Sequence, residues 1–144
     1  MAERVAERAA AEAGITDVEF RSAATSTEEL GEPMDLRAAS VLARRGYRHD
    51  RHRAHQLNPE EIATADLVIG MEDIHIRKML AMAPGSTNLS RLSDYDSSAD
   101  PGSGVPDPWY GSPAGFYDTL DAIEAAMPGI VDRIRQIQVA KALR

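Results

Sequence analysis

The sequence predicts an α/β fold, with a parallel sheet flanked by helices, in a single domain that spans residues 1 to 144. Short apolar segments alternate with longer amphipathic ones, a pattern typical of parallel strands joined by helical crossovers. The stretch DLVIGM at residues 66 to 71 is a nearly continuous apolar run. Such a run is typical of a strand that is covered on both faces. The chain length and the hydrophobic content of 43% are sufficient for one buried core.

The first third of the chain is predicted to form a helix, a strand and a loop. Residues 2 to 13 place Val5 and Ala9 at helical spacing, and Gly14 is of the residue type that commonly follows a helix. Residues 17 to 21 alternate, with Val18 and Phe20 on one face, which predicts a short strand. The next residues, up to position 33, are rich in Ser, Thr and Gly and indicate a loop.

Two further helices are predicted from capping signals. Asp35 can cap a helix over residues 36 to 45, which Gly46 would end. Asn58-Pro59-Glu60-Glu61 combines a cap residue, a proline at the first helical position and an acid at the third, which predicts another helix start. The apolar residues of the first of these helices are expected to face inward: Leu36, Ala39, Val41 and Leu42.

The carboxyl-terminal half is predicted to add a helix over residues 72 to 83, a strand over 88 to 92 and a long helix over 113 to 139. Residues 93 to 112 form a long loop, and loops of this length in a compact domain are usually functional. Pro128-Gly129 is predicted to bend the last helix. The apolar stripe of that helix contains Phe116, Leu120, Ile123, Met127, Val131, Ile134 and Ile137.

The composition argues against several classes of function. The chain has no cysteine, so neither a disulfide nor a thiolate nucleophile can come from residues 1 to 144. Its net charge of −7 argues against general nucleic-acid binding. No apolar run approaches the length of a membrane span, and no segment resembles a secretory signal. We therefore expect a cytoplasmic protein that binds neither nucleic acid nor membranes.

The loop before the last helix contains the strongest candidate for chemistry. Prolines on both sides of Asp107 restrict the backbone, so its carboxylate is predicted to lie on a stiff, non-helical turn. Trp109 and Tyr110 follow at once. A loop that presents an acid beside two aromatic faces can hold a proton donor over an aromatic substrate. An ordinary turn whose aromatic residues pack on the last helix would have the same pattern.

The segment VPDPWYGSPAGFYDTLDAIEAA resembles the acid loop and final helix of the low-molecular-weight protein-tyrosine phosphatases, where the pattern is Asp-Pro-aromatic-Tyr-Gly. The segments SAATSTEELGEPMDLRAASVLARRGY and HRAHQLNPEEIATADLVIGM resemble the same family, in order and at similar spacing. The resemblance covers nearly the whole chain. It implies hydrolysis of phosphotyrosine through a cysteinyl-phosphate, without a metal or other cofactor.

The resemblance also implies roles for five residues. Asp107 matches the aspartate that protonates the leaving phenolic oxygen and then activates water. Trp109 and Tyr110 match the aromatic pair that lines the substrate ring. Ser22 and His52 match a serine and a histidine that support the phosphate loop. The substrate would be a phosphotyrosine protein or a small aryl phosphate.

The signature of the family is a Cys-x5-Arg phosphate loop followed by a helix, and this chain has no match to it. Because the chain opens where that helix starts, we expect a protein truncated before its first strand and inactive as the 144-residue chain. In the sheet order of the family, that strand would lie between residues 17 to 21 and residues 66 to 71. Glu28 and Glu29 occupy positions that usually line the substrate cleft, where they would repel a phosphorylated ligand.

Other interpretations of the sequence remain open. A non-catalytic, phosphatase-like binding module could dock an acidic partner on a basic cluster, although a solvated helix end would have the same composition. That cluster contains Arg44, Arg45, Arg48, Arg51 and Arg53. His49, His52 and His55 could suggest a metal site, but the surrounding arginines repel cations, so no metal is predicted. Arsenate reductases share the fold of the family but depend on several cysteines, which disfavours them here.

Overall fold

The computed structural model describes residues 1–25, 31–49, 52–100, 103–105 and 113–144. As predicted, a small parallel sheet is flanked by helices. None of the helices in these ranges is long and apolar enough to cross a membrane. The elements, in chain order, are α1 (Ala2–Glu12), α2 (Leu36–Arg44), α3 (Pro59–Thr64), β1 (Val68–Gly70), α4 (Asp73–Met82), β2 (Leu89–Arg91), a 3-10 turn (Leu92–Tyr95) and α5 (Pro113–Ala142).

The sheet is built on a βαβ unit. β1 and β2 run parallel, with Ile69 opposite Ser90, and α4 connects them. Within the described residues this pair is the whole sheet. At its amino-terminal edge, the side-chain amide of Asn88 donates to the carbonyls of Ile62 and Ala65 at 2.8 and 2.9 Å. These two bonds fix the end of α3 against the start of β2.

The predicted strand at residues 17 to 21 is wrong. Asp17 has a φ of 57°, in the left-handed region, and residues 18 to 23 form no ladder with any described segment. Val18 and Phe20 do pack, half-buried, against the core. An alternating pattern shows which face of a segment is apolar, but a strand also needs a partner for its backbone groups.

α5 supplies most of the core. Leu120 and Ala126 are fully buried and Ile123 is 1% exposed, while Ile137, the last residue of the predicted stripe, is half-buried. Pro128 lies inside this helix, and the bend predicted there stays a prediction. The other elements that pack around α5 contribute Val5, Ala38, Val41, Leu42 and Leu92.

Gly129 allows the closest approach to α5. A Cβ at this position would lie 2.4 Å from the carbonyl oxygen of Tyr95, which is shorter than any real contact of that kind. The 3-10 turn therefore lies directly against the α5 backbone. A side chain of any size at position 129 would have to push the two apart.

Both capping signals are confirmed. Asp35 accepts a hydrogen bond from Arg37 N at 2.8 Å, and Asn58 forms a reciprocal capping box with Glu61. Leu36, which we predicted to face inward, is 86% exposed. The buried residues of α2 are Ala38, Val41 and Leu42. At roughly 100° per residue, these three lie on the opposite side of the helix from Leu36. The prediction was therefore right for Val41 and Leu42 and wrong for Leu36, while Ala39 is only half-buried.

Candidate functional site

Three of the predicted site residues, Asp107, Trp109 and Tyr110, lie outside the described residues, as do Glu28 and Glu29. The neighbouring residues show where the chain enters and leaves segments 106–112 and 26–30. The site can therefore be built from these flanking residues and from Ser22 and His52.

The chain enters segment 106–112 at the carboxyl end of β1. Val105 is 8% exposed and donates its N–H to the carbonyl of Met71, the residue after β1, at 2.8 Å. The Ser93 hydroxyl donates to the carbonyl of Ser103, which holds the preceding turn. In parallel α/β sheets, ligands bind outside the carboxyl ends of the strands. The entry point of this segment is thus at the edge of the sheet where a substrate is expected.

The chain leaves segment 106–112 into the first turn of α5. Phe116 in that turn is 4% exposed, and the guanidinium of Arg37 lies over its ring at 4.8 Å from the centroid. Asp35 holds the same guanidinium through two bonds, to Nε at 3.2 Å and to Nη2 at 3.1 Å. Hydrogen bonding to Arg37 lowers the pKa of the Asp35 carboxyl below its ordinary value.

Ser22 and His52 lie on neighbouring extended segments. Ala24 donates its N–H to His55 O at 2.9 Å and accepts from Leu57 N at 2.8 Å. Ser22 precedes this pairing by two residues on one segment, and His52 precedes His55 by three on the other. Both Ser22 and His52 are half-buried. The structure therefore brings the two predicted support residues into the same region.

The segment that contains His52 is bonded on its other side as well. Ala54 donates its N–H to Glu32 O at 2.9 Å and accepts from Gly31 N at 2.7 Å. Ala24 and Gly31 are therefore both held by residues 54–57, so the chain enters and leaves segment 26–30 beside the His52 segment. The predicted cleft residues Glu28 and Glu29 belong to that segment by sequence.

His52 lies in the electrostatic environment of the amino end of α1. Burial lowers the pKa of His52 below its ordinary value of 6.5, and the charges of Glu3, the Met1 ammonium and Arg4 also act on it. The Arg4 side chain is 5% exposed and lies 3.1 Å from the Glu7 carboxylate. A neutral imidazole can donate one hydrogen bond and accept another, which suits a residue that supports a loop.

The two parts of the candidate site are built on different elements. One part is the Ser22–His52 region beside α1, and the other is the pair of anchors that hold segment 106–112. Within the described ranges, no hydrogen bond links Ser22 or His52 to Met71 or Val105. A substrate or a further loop would have to lie between them for both to act on one reaction.

The three spaced histidines do not converge on one point in the described part of the chain. No group of three or more His, Cys, Asp or Glu residues there could hold a metal ion. His55 Nε2 instead lies 3.0 Å from the Glu61 carboxylate at the start of α3, and His49 is exposed.

A groove of about 620 Å³ lies between α1 and α5, away from these residues. Neither Ser22 nor His52 lines it. Several of its polar side chains have partners within the protein: Arg8 binds Glu12 at 2.9 Å, and the Tyr47 hydroxyl donates to Glu124 at 2.8 Å. Burial, followed by the hydrogen bond to Glu124, raises the pKa of the Tyr47 hydroxyl. The groove is therefore separate from the predicted site residues that the structure describes.

The sequence did not reveal the contact between Arg37 and Phe116. Asp35 was recognised as a helix cap, and its spacing from Arg37 fits a local ion pair. The stacking of Arg37 on Phe116 joins residues that are far apart in the chain, so no local pattern could indicate it.

Comparison with known proteins identifies the family. The family model for low molecular weight phosphotyrosine protein phosphatase matches residues 1–140. A low molecular weight protein-tyrosine-phosphatase of Streptomyces coelicolor is 35% identical over 141 residues, which cover 94% of this chain and 85% of that protein. Low molecular weight protein-tyrosine phosphatase A of Mycobacterium tuberculosis is 34% identical over 138 residues, covering 92% and 81%.

Solved structures agree on the fold. The crystal structure of a protein tyrosine phosphatase from Entamoeba histolytica superposes with a TM-score of 0.87 at 22% identity, covering 94% of this chain and 87% of that one. YfkJ from Bacillus subtilis superposes with a TM-score of 0.85 at 25% identity, covering 94% and 85%. The chain therefore belongs to the low molecular weight phosphotyrosine protein phosphatase family.

Proposed function

We propose that this chain forms the acid-loop side of a phosphotyrosine phosphatase site, with Asp107 as general acid and then general base. The observation that carries the proposal is the placement of the entry to segment 106–112. Val105 is bonded to Met71 at the carboxyl end of β1, where a parallel sheet presents its ligands. A carboxyl group on that segment would be positioned to protonate the leaving oxygen of an aryl phosphate.

The nucleophile is not supplied by residues 1 to 144, because the chain has no cysteine. In the reaction of the family, a thiolate attacks phosphorus, the bond to the phenolic oxygen breaks, and the acid transfers its proton to that oxygen. Water, which gives a proton to the same group in its carboxylate form, then attacks the phosphorus of the cysteinyl-phosphate. The S–P bond breaks, and the thiolate and inorganic phosphate are released. Trp109 and Tyr110 would line the substrate ring, while Ser22 and His52 would support the phosphate loop.

The first test uses the chain alone. We expect purified 144-residue protein not to hydrolyse p-nitrophenyl phosphate, since it has no thiolate to attack phosphorus. Turnover that persists in Asp107→Asn protein would contradict both the missing nucleophile and the proposed acid.

The second test supplies the nucleophile. A chimera would carry a strand and a Cys-x5-Arg loop of the form typical of the family, joined ahead of α1. We expect this chimera to hydrolyse phosphotyrosine peptides, and Asp107→Asn to lower kcat by about 10²–10⁴-fold with little change in KM. Substrates with better leaving groups should show a smaller loss.

Two controls make the chimera informative. Asp100→Asn removes an exposed acid on the approach to the same segment and should leave kcat unchanged. Cys→Ser in the added loop should abolish turnover. An active chimera in which Asp107→Asn has no effect on phosphotyrosine peptides would remove Asp107 from the proposed role.

The alternative role as a binding module has weaker support. Arg45 in the basic cluster lies 2.7 Å from Asp121 and 2.5 Å from Glu124, and Arg48 lies 3.6 Å from Glu7. These arginines are already neutralised by acids of α5 and α1. An acidic partner would have to replace those pairs before it could use Arg45 or Arg48, whereas Arg44 and Arg53 bond to the Tyr117 hydroxyl and to the His52 carbonyl.

A further inference from the structure

We propose that Arg37 is a positioning residue, which holds the first turn of α5, where segment 106–112 ends by sequence, through its contact with Phe116. The functional part of this inference rests on the proposed role of Asp107. The structural part, that Arg37 fixes the point where the segment joins α5, is independent of any reaction.

The guanidinium of Arg37 is fixed from two directions. Asp35 binds its Nε at 3.2 Å and its Nη2 at 3.1 Å, a two-point geometry that sets the plane of the group. Phe116 then lies 4.8 Å away, from the ring centroid to Cζ, within the range of a cation–π contact. Because Asp35 also caps α2 through Arg37 N at 2.8 Å, the cation is tied to the start of a packed helix.

Phe116 is well placed to transmit this constraint. It is 4% exposed and belongs to the first turn of α5, so a contact that restrains its ring acts on the start of that helix. Segment 106–112 ends where this turn begins. Arg37 and Asp35 therefore connect the first turn of α2 to the exit of the segment, while Met71 and Val105 hold its entry.

The two ends of the segment are held in chemically different ways. At the entry, the Val105–Met71 bond joins backbone groups and does not depend on side-chain identity. At the exit, side chains hold the first turn of α5: Phe116 is buried and carries Arg37, and Tyr117 accepts from Arg44 at 3.3 Å. A substitution can thus loosen the exit selectively and leave the entry intact.

The chain contains a matched control for the Arg37 contact. Arg8 lies over the ring of Tyr47 at 4.7 Å, close to the Arg37–Phe116 distance, and is likewise held by an acid, Glu12, at 2.9 Å. This pair joins α1 to the residues after α2, where Arg8 also donates to Arg45 O at 3.1 Å, and none of these bonds of Arg8 involves Val105 or Phe116. Loss of either arginine removes a similar interaction, but only Arg37 should affect the segment.

Trp109 provides a direct probe because it is the only tryptophan in the chain and lies in this segment by sequence. We would measure its emission maximum and its quenching by acrylamide in the 144-residue protein and in its variants. At partly exposed sites, a cation–π contact shifts the equilibrium between its formed and broken states by about two- to fivefold. We therefore expect Arg37→Gln to raise the quenching constant and shift the Trp109 emission.

Conservative variants separate positioning from general stability. Arg37→Lys keeps a cation and should restore part of the wild-type signal. Asp35→Asn keeps a good capping residue but removes the acid that orients Arg37, so it should change Trp109 in the same direction as Arg37→Gln. Arg8→Gln should leave the Trp109 signal at the wild-type value even if it lowers the melting temperature.

The outcomes decide between the alternatives. Equal Trp109 signals in Arg37→Gln, Arg8→Gln and wild-type protein would overturn the proposal, and would leave Arg37 with a role in stability alone. If Arg37→Gln does not fold, Asp35→Asn takes its place, and an unchanged Trp109 signal in that variant is equally decisive.

The active chimera adds a second readout, which depends on the proposed function. There, Arg37→Gln should lower kcat more than it changes KM, and Arg37→Lys should recover part of the loss, because positioning of the acid matters in the transition state. A chimera without activity would count against the proposed function while the Trp109 measurements still tested Arg37. An active chimera with normal kcat in Arg37→Gln would overturn the catalytic consequence.

Discussion

The helical layer of α1, α2 and α5 and the sheet region differ in how their residues are held. α5 runs for 30 residues and has fully buried side chains on one face, whereas β1 and β2 are three residues long and Ile69 in β1 is only half-buried. A helix satisfies its backbone hydrogen bonds within itself, so packing is its main remaining requirement. A strand needs a neighbour for every backbone group, and the extended residues 18 to 23 have no such ladder among the described segments.

This difference suggests that stability resides mainly in the helical layer. The same layer also carries the exit of segment 106–112, through Phe116 and Arg37. The sheet region carries its entry, through Met71 and Val105. A site built across both regions thus combines a rigid support with a less constrained one.

The largest expected effect on stability comes from shortening a buried side chain in the helical core. Leu120→Ala should lower the free energy of unfolding by about 2–5 kcal/mol, since Leu120 is fully buried and its loss leaves a cavity. Ile69→Ala in β1 should cost less, because that side chain is only partly buried. Urea unfolding of both variants measures the difference. Equal losses would show that the sheet is as tightly packed as the helices.

The next effect tests the close contact between α5 and the 3-10 turn. Helix propensity alone predicts that Gly129→Ala stabilises the protein by about 1 kcal/mol. The 2.4 Å approach to the Tyr95 carbonyl predicts the opposite sign, with a net loss of about 1–3 kcal/mol, because a backbone atom cannot move aside like a side chain. Ala125→Gly, at an exposed α5 position, calibrates the propensity term. A stabilised Gly129→Ala protein would disprove the contact.

Sequence-based prediction succeeded where the signal is local, in the helices and in the strands β1 and β2. Asp35 and Asn58 predicted their helices correctly, since a cap and its partner lie within three residues of each other. The strand at residues 17 to 21 was wrong, because alternation is local whereas pairing is not. The family and its fold could be inferred from motifs. The Arg37–Phe116 contact could not, since only the folded chain brings those residues together.

A smaller effect is expected from the α3 cap, where the helical layer meets the sheet. Asn58→Ala removes the acceptor for Glu61 N and should cost about 1 kcal/mol, whereas Asn58→Ser retains a capping oxygen and should cost little. Because Asn88 bonds to the last turn of α3, the loss should also speed amide exchange in β2. Unchanged exchange there, with the stability loss confined to α3, would mean that the two regions are not coupled.

The smallest effect is a pH dependence that comes from His52, which lies near the amino end of α1 and outside both the helices and the β1–β2 pair. Burial favours its neutral form, so the folded-state pKa of His52 lies below the ordinary value of 6.5. As the pH falls below that value, the unfolded chain binds the proton first. The stabilising contribution is therefore complete above pH 6.5 and is lost as the pH falls toward the lower folded-state pKa.

The comparison of His52→Gln with His49→Gln isolates this term. Both variants remove one histidine, but His49 is exposed and His52 is half-buried. Glu3, the Met1 ammonium, Arg4 and His55 act on His52 and remain in both proteins, so their own titrations cancel in the difference. We expect thermal melts between pH 7.5 and 5.5 to show a weaker loss of stability in His52→Gln than in His49→Gln. Parallel declines would mean that His52 reaches water as freely as His49, and that the fold does not bury the His52 side chain.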